Sequence, residues 1–354
     1  MTTGQFPLPT GQYPIPEVAP TLPLEGGEAA VGFVLRLGRA LHAAGYPAHQ
    51  LERALHGVAE RLGLDAQFFS TPTSVFAAFG PLERQKTYLT RVEPGDQNLA
   101  QLARLDAVMR RVLAGELTAL QGSVRVDAIL AAPPPYSRAL TVAAFGLASS
   151  AVATLIGGSL ADVLLSGALG LCTGGLADRV GSHPRGRAIF EPLAAFAVAL
   201  LAAVAAARIG TVTAGIATLA GLVVLLPGFM LTTAMTELAT RHLAAGTARL
   251  SGALITFLSI AFGVALATRA AAALLPAPPV AVPAPLPAAT AYVAVVVAAL
   301  AFAVLLRAEP RDAGWIVAAG AVSFLATRLG GRFLGPELGA FAGALVIGVC
   351  SDVY

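Results

Sequence analysis

The chain has 354 residues, of which 56% are hydrophobic and 12% charged, with a mean hydropathy of +0.74. An ordinary soluble domain is about 25% charged, so this composition excludes a purely soluble protein and points to one embedded in a membrane. Two cysteines, Cys172 and Cys350, are too few for a disulfide framework or a structural zinc site, and the net charge of +3 is too small and too scattered for a nucleic-acid surface.

Residues 1–27 hold six prolines and few large apolar residues, and read as a disordered, Pro-rich tail with no signal peptide. Val31, Val34, Leu37 and Leu41 then recur at helical spacing, predicting a helix over 28–44 that Gly45 and Pro47 end. A second helix is expected over 48–62, with Leu51, Leu55 and Val58 inward and Gly63 as its stop. Residues 67–70, 74–79 and 85–92 read as strands, the first two joined by a turn at Thr71-Pro72-Thr73. Asp96 is expected to cap a helix running to Leu113, and Thr118 to begin another that ends before Pro133-Pro134-Pro135. Residues 28–132 are therefore a small cytoplasmic α/β domain. His42, His49 and His56 are spaced by seven, but Gly45 and Pro47 separate the first two, so a solvated face is expected rather than a metal stripe. The Ser70–Ser74 segment lacks the nucleophile elbow and triad acid of a hydrolase and reads as a plain turn.

Beyond the prolines the pattern changes. Apolar stretches at 140–155, 159–176, 192–207, 212–226, 250–275, 289–306, 314–327 and 336–349 predict, for residues 133–354, a mainly α, polytopic helical bundle of about eight crossings. Residues 1–138 carry 12 acids and 12 bases, whereas the rest carries 8 acids and 11 arginines, so the excess charge belongs to the membrane half. Arg179, Arg185 and Arg187, then Arg241 and Arg249, then Arg307 and Arg311 fall on one side if crossings alternate; the positive-inside rule makes it the cytoplasmic side, shared with the α/β domain. Arg328 and Arg332 then fall outside, against the rule. GGSLADVLLSGAL at Gly157 is echoed by GGRFLGPELGAFAGAL at Gly330, with duplication and coincidence both open.

The chemistry concentrates in 221–255. The apolar run 212–226 reaches only about 22 Å at 1.5 Å per residue, short of a hydrocarbon core of about 30 Å, before Pro227-Gly228 interrupts it. The break is expected to expose backbone groups within the membrane and to aim a helix N-terminus at a substrate carboxylate. Thr232, Thr236 and Thr240 form one row of the following helix, and Thr233, Glu237 and Arg241 the next. Thr232, Thr233 and Thr236 are candidates to line a path, and Glu237 to bind an ammonium group or a proton. The alternative is an interfacial helix with Glu237 and Arg241 as an i,i+4 pair. Asp162, opening an apolar run after Gly157-Gly158, is a second proton-coupling candidate, or else a helix-end residue at the outer interface.

These parts resemble the threonine/serine exporter family. The resemblance spans about residues 30–354 and rests on Leu41–Leu64 with its Thr-Pro-Thr turn, on Gly157-Gly158 with Asp162, and above all on LLPGFMLTTAMTELATRHLAAGTARL at Leu225–Leu250. Membership implies a secondary active exporter of small amino acids in the inner membrane, a proton antiporter with no cofactor, whose partners are the small-molecule substrate and the lipid bilayer. A related two-protein system exports dicarboxylates. The family's membrane domain has about ten crossings and a second Pro-Gly segment; none follows Gly228 here, which leaves open a truncated chain, a natural short form, or a path completed by a homo-oligomer or a missing C-terminal partner segment. The rival reading is a membrane-anchored enzyme or sensor acting through residues 28–131.

Overall fold

The computed structural model describes residues 24–93, 97–180, 184–276, 284 and 286–353. Of the Pro-rich tail, residues 1–23 lie outside these, and residues 24–27 are the first turn of a helix. That helix, α1 (Leu24–Ala43), buries Phe33, Val34, Leu37 and Leu41 along one stripe. It closes at Gly45, whose φ of +96° suits glycine alone among ordinary residues. The Gly45 N–H donates to His42 O and the Tyr46 N–H to Leu41 O, both at 3.0 Å, the paired bonds of a Schellman ending.

Next come α2 (Ala48–Arg61), β1 (Ala66–Thr71), β2 (Ser74–Phe79) and β3 (Lys86–Arg91). The strands form an antiparallel meander in the order β1-β2-β3, and the Thr71↔Ser74 register makes Pro72-Thr73 a two-residue turn. Val75, Ala77 and Phe79 alternate inward against Leu37, Leu51 and Leu55. Two helices cover the other side of α1: α3 (Leu99–Leu113) and α4 (Ala119–Ala131). Asp96 lies outside the described residues; Asn98 caps α3, its side chain accepting from the Gln101 N–H at 3.1 Å. Thr118 and Gln121 form a reciprocal capping box on α4, as the sequence leads one to expect.

The second unit holds α5 (Arg138–Leu155), α6 (Leu160–Val180), α7 (Pro184–Ile209), α8 (Ala214–Gly221), α9 (Gly228–Ala239), α10 (Leu243–Leu274), α11 (Thr290–Leu305), α12 (Ala313–Leu334) and α13 (Pro336–Val353). All eight apolar stretches are helical. Among the described residues, five helices are long and apolar enough to cross a membrane, and the bent pair formed by α8 and residues 223–239 makes up to six. The eight crossings expected are thus five or six by length and composition, with Thr290–Leu305 and Leu338–Cys350 shorter. Close packing rests on small residues. A Cβ on Gly170 of α6 would lie 2.4 Å from Ser149 Oγ and 2.6 Å from Phe145 O of α5, so only glycine permits that approach.

Contacts fix which joints face the amino-terminal unit. Tyr136 donates to Ala308 O at 2.8 Å, Arg104 pairs with Glu309 at 2.8 Å, and His242 lies 3.5 Å from Glu52. Arg138, at the start of α5, lies 3.9 Å from Asp178 near the end of α6. The α6 end, the α9–α10 joint and the α11–α12 joint therefore share one end of the bundle. Arg328, which alternating crossings would set against the charge rule, donates to the Tyr292 hydroxyl at 3.3 Å, its guanidinium 5.6 Å from the ring centroid. The echoed glycine pairs differ in structure: Gly157-Gly158 form the turn before α6, whereas Gly330-Gly331 lie inside α12.

Candidate functional site

The chain does break where its sequence says it should. After α8, a 3-10 turn at Val223–Leu225 leads into Pro227, and α9 starts at Gly228 with no side-chain cap. The two segments are bent by 44°. Eight residues of α8 and three of the turn rise about 18 Å, so the interruption comes well before a full crossing is complete. Thr173 ties α6 to this point, donating to Leu169 O at 3.0 Å and reaching Gly221 O at 3.4 Å.

The hydroxyl rows of α9 divide. Thr232 and Thr236 are exposed and donate to Gly228 O and Thr232 O, both at 3.0 Å. Their hydrogens are committed to their own helix, leaving oxygen lone pairs outward. Thr233 and Glu237 are buried on the other side. The row does not continue to Arg241, because α9 stops at Ala239 and Arg241 takes a φ of +64°, closing the helix in a Schellman ending. The i,i+4 pair of Glu237 and Arg241 is thereby corrected: the partner of Glu237 is Arg249 on α10.

Glu237 is fully buried. Its Oε1 accepts the Ala48 N–H at 2.8 Å from the first residue of α2. The Nε of Arg249 lies 3.1 Å from both carboxylate oxygens and donates to Oε1, which leaves Oε2 without a hydrogen bond of its own. Around the pair stand His42 from α1, His49 from α2, and His242 from the α9–α10 joint, whose ring is 5.9 Å from that of His49. Glu52 accepts from the Ser70 N–H at 2.7 Å and hydroxyl at 3.0 Å and faces His242. The Nε2 of His42 lies 3.1 Å from Pro72 O; a carbonyl only accepts, so Nε2 carries the hydrogen and the buried Nδ1 is a bare lone pair. Burial lowers the His42 pKa, with the Pro72 carbonyl opposing, Arg249 adding and Glu237 opposing. Burial lowers that of His49 too, helped by His242 and Arg53 and opposed by Glu237. The solvated histidine face is corrected accordingly: His56 is exposed beside Glu60, but His42 is only 3% exposed, with its ring against the Pro72 carbonyl. Among the described residues no group of three His, Cys, Asp or Glu is placed to hold a metal.

Asp162 is also fully buried, at the opposite end of the bundle. From Asp162 to Asp178, beside Arg138, α6 rises about 24 Å. Asp162 accepts from the Ser159 N–H at 2.9 Å, the Ser159 hydroxyl at 2.7 Å and the Thr213 N–H at 2.7 Å. It thus caps α6 and fastens the start of α8. The two acidic candidates are not brought together.

Residues 32–271 match the family described as "Putative threonine/serine exporter". The chain belongs to that family. Similar curated proteins are named pheromone-regulated membrane protein 10. Those of Debaryomyces hansenii and Saccharomyces cerevisiae are each 30% identical, over 240 and 239 residues, 66% of this chain and 24% and 31% of theirs. That of Candida albicans is 30% identical over 244 residues, 66% of this chain and 22% of its own length. The chain thus matches between about a fifth and a third of these relatives' length. No solved structure matches it. As a member of an exporter family, the chain is a membrane protein whose class handles small molecules.

Three site residues of this exporter-family chain escape a sequence reading. Ala48 contributes only a backbone N–H. Ser149 of α5 and Ser166 of α6 are fully buried, with hydroxyls that find no partner among the described residues. One signal was present for the first: α2 begins after Pro47, with no Ser, Thr, Asp or Asn to cap it, so its acceptor has to come from elsewhere.

Proposed function

We infer that this chain is a secondary active exporter of small amino acids, threonine and serine first, working as a proton antiporter in the cytoplasmic membrane with its amino-terminal unit in the cytoplasm. The observation that carries the reading is the bent break at Pro227-Gly228 in an otherwise apolar path. An anchor has no use for such a break, since each backbone group it frees is costly in hydrocarbon unless it meets water or a solute. The uncapped first turn of α9 offers N–H groups and a partial positive charge to the substrate carboxylate. Thr232, Thr233 and Thr236 supply hydroxyl oxygens along α9, and Ser149 of α5 and Ser166 of α6 add buried hydroxyls without a partner among the described residues. Glu237 and Asp162, both fully buried, are the residues through which protons act. They work in series, one at each end of the bundle.

The test is efflux of labelled threonine from proteoliposomes under an imposed pH gradient, with serine and succinate as competitors. Efflux driven by the gradient and blocked by serine is expected. Competition by succinate alone makes the substrate a dicarboxylate, and absence of any efflux overturns export.

A further inference from the structure

The amino-terminal unit meets the bundle through two helix N-termini of different chemistry. At α3, the N–H groups of Leu99 and Ala100 donate to the carbonyls of Leu306 and Arg307, both at 3.0 Å, where α11 ends. These are main-chain dipoles, which no proton alters. At α2, the Ala48 N–H donates to the carboxylate of Glu237. That bond is charge-assisted and about twice as strong as a neutral one, and the same carboxylate holds Arg249. Neutralising Glu237 weakens the cap on α2 and strips Arg249 of its partner in one event. Glu237 sits near the end of α9, whose other end is the Pro227-Gly228 break, so whatever holds Glu237 holds the α9–α10 joint at the far end of the bent helix.

We propose that the amino-terminal unit is the latch on α9: it stays docked through the N-terminus of α2 while Glu237 is charged, and swings away about its α3–α11 attachment when Glu237 is neutralised, freeing α9 to tilt at the break. This rests on the export reading for its purpose but not for its geometry. The charged and titratable groups facing Glu237 are Arg249 from α10, His42 from α1 and His49 from α2, with His242 and Glu52 one shell further out. Arg249 and the N-terminus of α2 are the two positive groups in direct contact with the carboxylate.

The test uses the full chain in membranes with Cys172 and Cys350 changed to serine. One reporter pair, His49→Cys with His242→Cys, spans the latch, and a second, Arg104→Cys with Glu309→Cys, spans the α3–α11 attachment. A short thiol cross-linker is applied to each pair with and without Glu237→Gln, and with and without Ala48→Pro. Proline at the first helical position removes one N–H and is otherwise well accepted there, and Pro47, at ψ 145°, already has the backbone that precedes proline. Both changes are expected to slow cross-linking at the latch about tenfold and to leave the 104/309 pair unchanged. An unchanged latch rate overturns the proposal, and so does an equal fall at both pairs, which means the unit has come away or unfolded as a whole. If the wild-type chain moves no threonine, the export reading fails while the contrast between the two pairs still decides the latch.

Discussion

Changing Asp162 to alanine is expected to destabilise the protein by about 3–5 kcal/mol, from donors left unmatched in a buried site. The carboxylate accepts three hydrogen bonds, two from the backbone N–H groups of Ser159 and Thr213 and one from the Ser159 hydroxyl. The hydroxyl can turn elsewhere; the two N–H groups cannot. Each part-buried donor left unmatched costs about 1–2 kcal/mol, and losing the reciprocal cap on α6 adds about 1 kcal/mol. Asparagine should cost about half as much, because its carbonyl keeps one donor while its amide confronts another. For a chain of this kind 1 kcal/mol moves the midpoint by about 2–4 °C, so thermal unfolding in detergent should show a fall of roughly 10 °C for Asp162→Ala and about 5 °C for Asp162→Asn. Ser159→Ala, which removes only the reciprocal half of the cap, should cost about 1 kcal/mol. An alanine variant within about 1 kcal/mol of wild type would refute the claim that this carboxylate fastens α8 to α6. An asparagine variant that exports normally would remove Asp162 from the proton path proposed for it.

Glu237 and Arg249 should behave as a coupled pair. Arg249→Leu alone leaves a buried carboxylate uncompensated and costs about 3–5 kcal/mol, whereas changing both to leucine recovers most of the loss; denaturant titration of the double-mutant cycle checks this, and additive effects would dismiss the pair. Burial holds His42 and His49 below the ordinary histidine pKa, so the unfolded chain binds more protons as pH falls below about 6.5. Their contribution is complete above that pH and is lost as the pH drops towards the folded values, so the unfolding midpoint should be lower at pH 5.5 than at 7.5, with the difference shrinking in His42→Gln. Gly45→Ala should cost about 1–2 kcal/mol, because its φ is +96°, a conformation that strains any residue with a Cβ; circular dichroism melts read it.

Much of this could be read before any coordinates. Helical spacing found α1 and α2, Gly45 marked a true ending, the strands fell within a residue or two of their places, and the apolar stretches became helices. Each of these depends on neighbours in sequence. The break at Pro227-Gly228 was legible because proline and glycine act on their own backbone. The surroundings of Glu237 were not. Its donors lie 189 residues before it and 12 after, and nothing local announces that α2 lends its first N–H to α9. The helical row through Arg241 misled because a left-handed residue ended the helix first, and arginine is an uncommon occupant of that conformation. His42 misled because its ring meets the Pro72 carbonyl of the β1–β2 turn, 30 residues further along the chain.

The attachment of α3 to α11 carries its own lesson about inheritance. Both bonds run from peptide nitrogen to peptide oxygen, so exchanging the side chains of Leu99, Ala100, Leu306 or Arg307 leaves every participating atom in place. Within that short list only proline at 99 or 100 deletes a donor. Arg307 apart, whose φ of +54° restricts what can stand there, the seam can therefore vary in composition while its two bonds persist. The carboxylate seam next to it can be erased by a single codon.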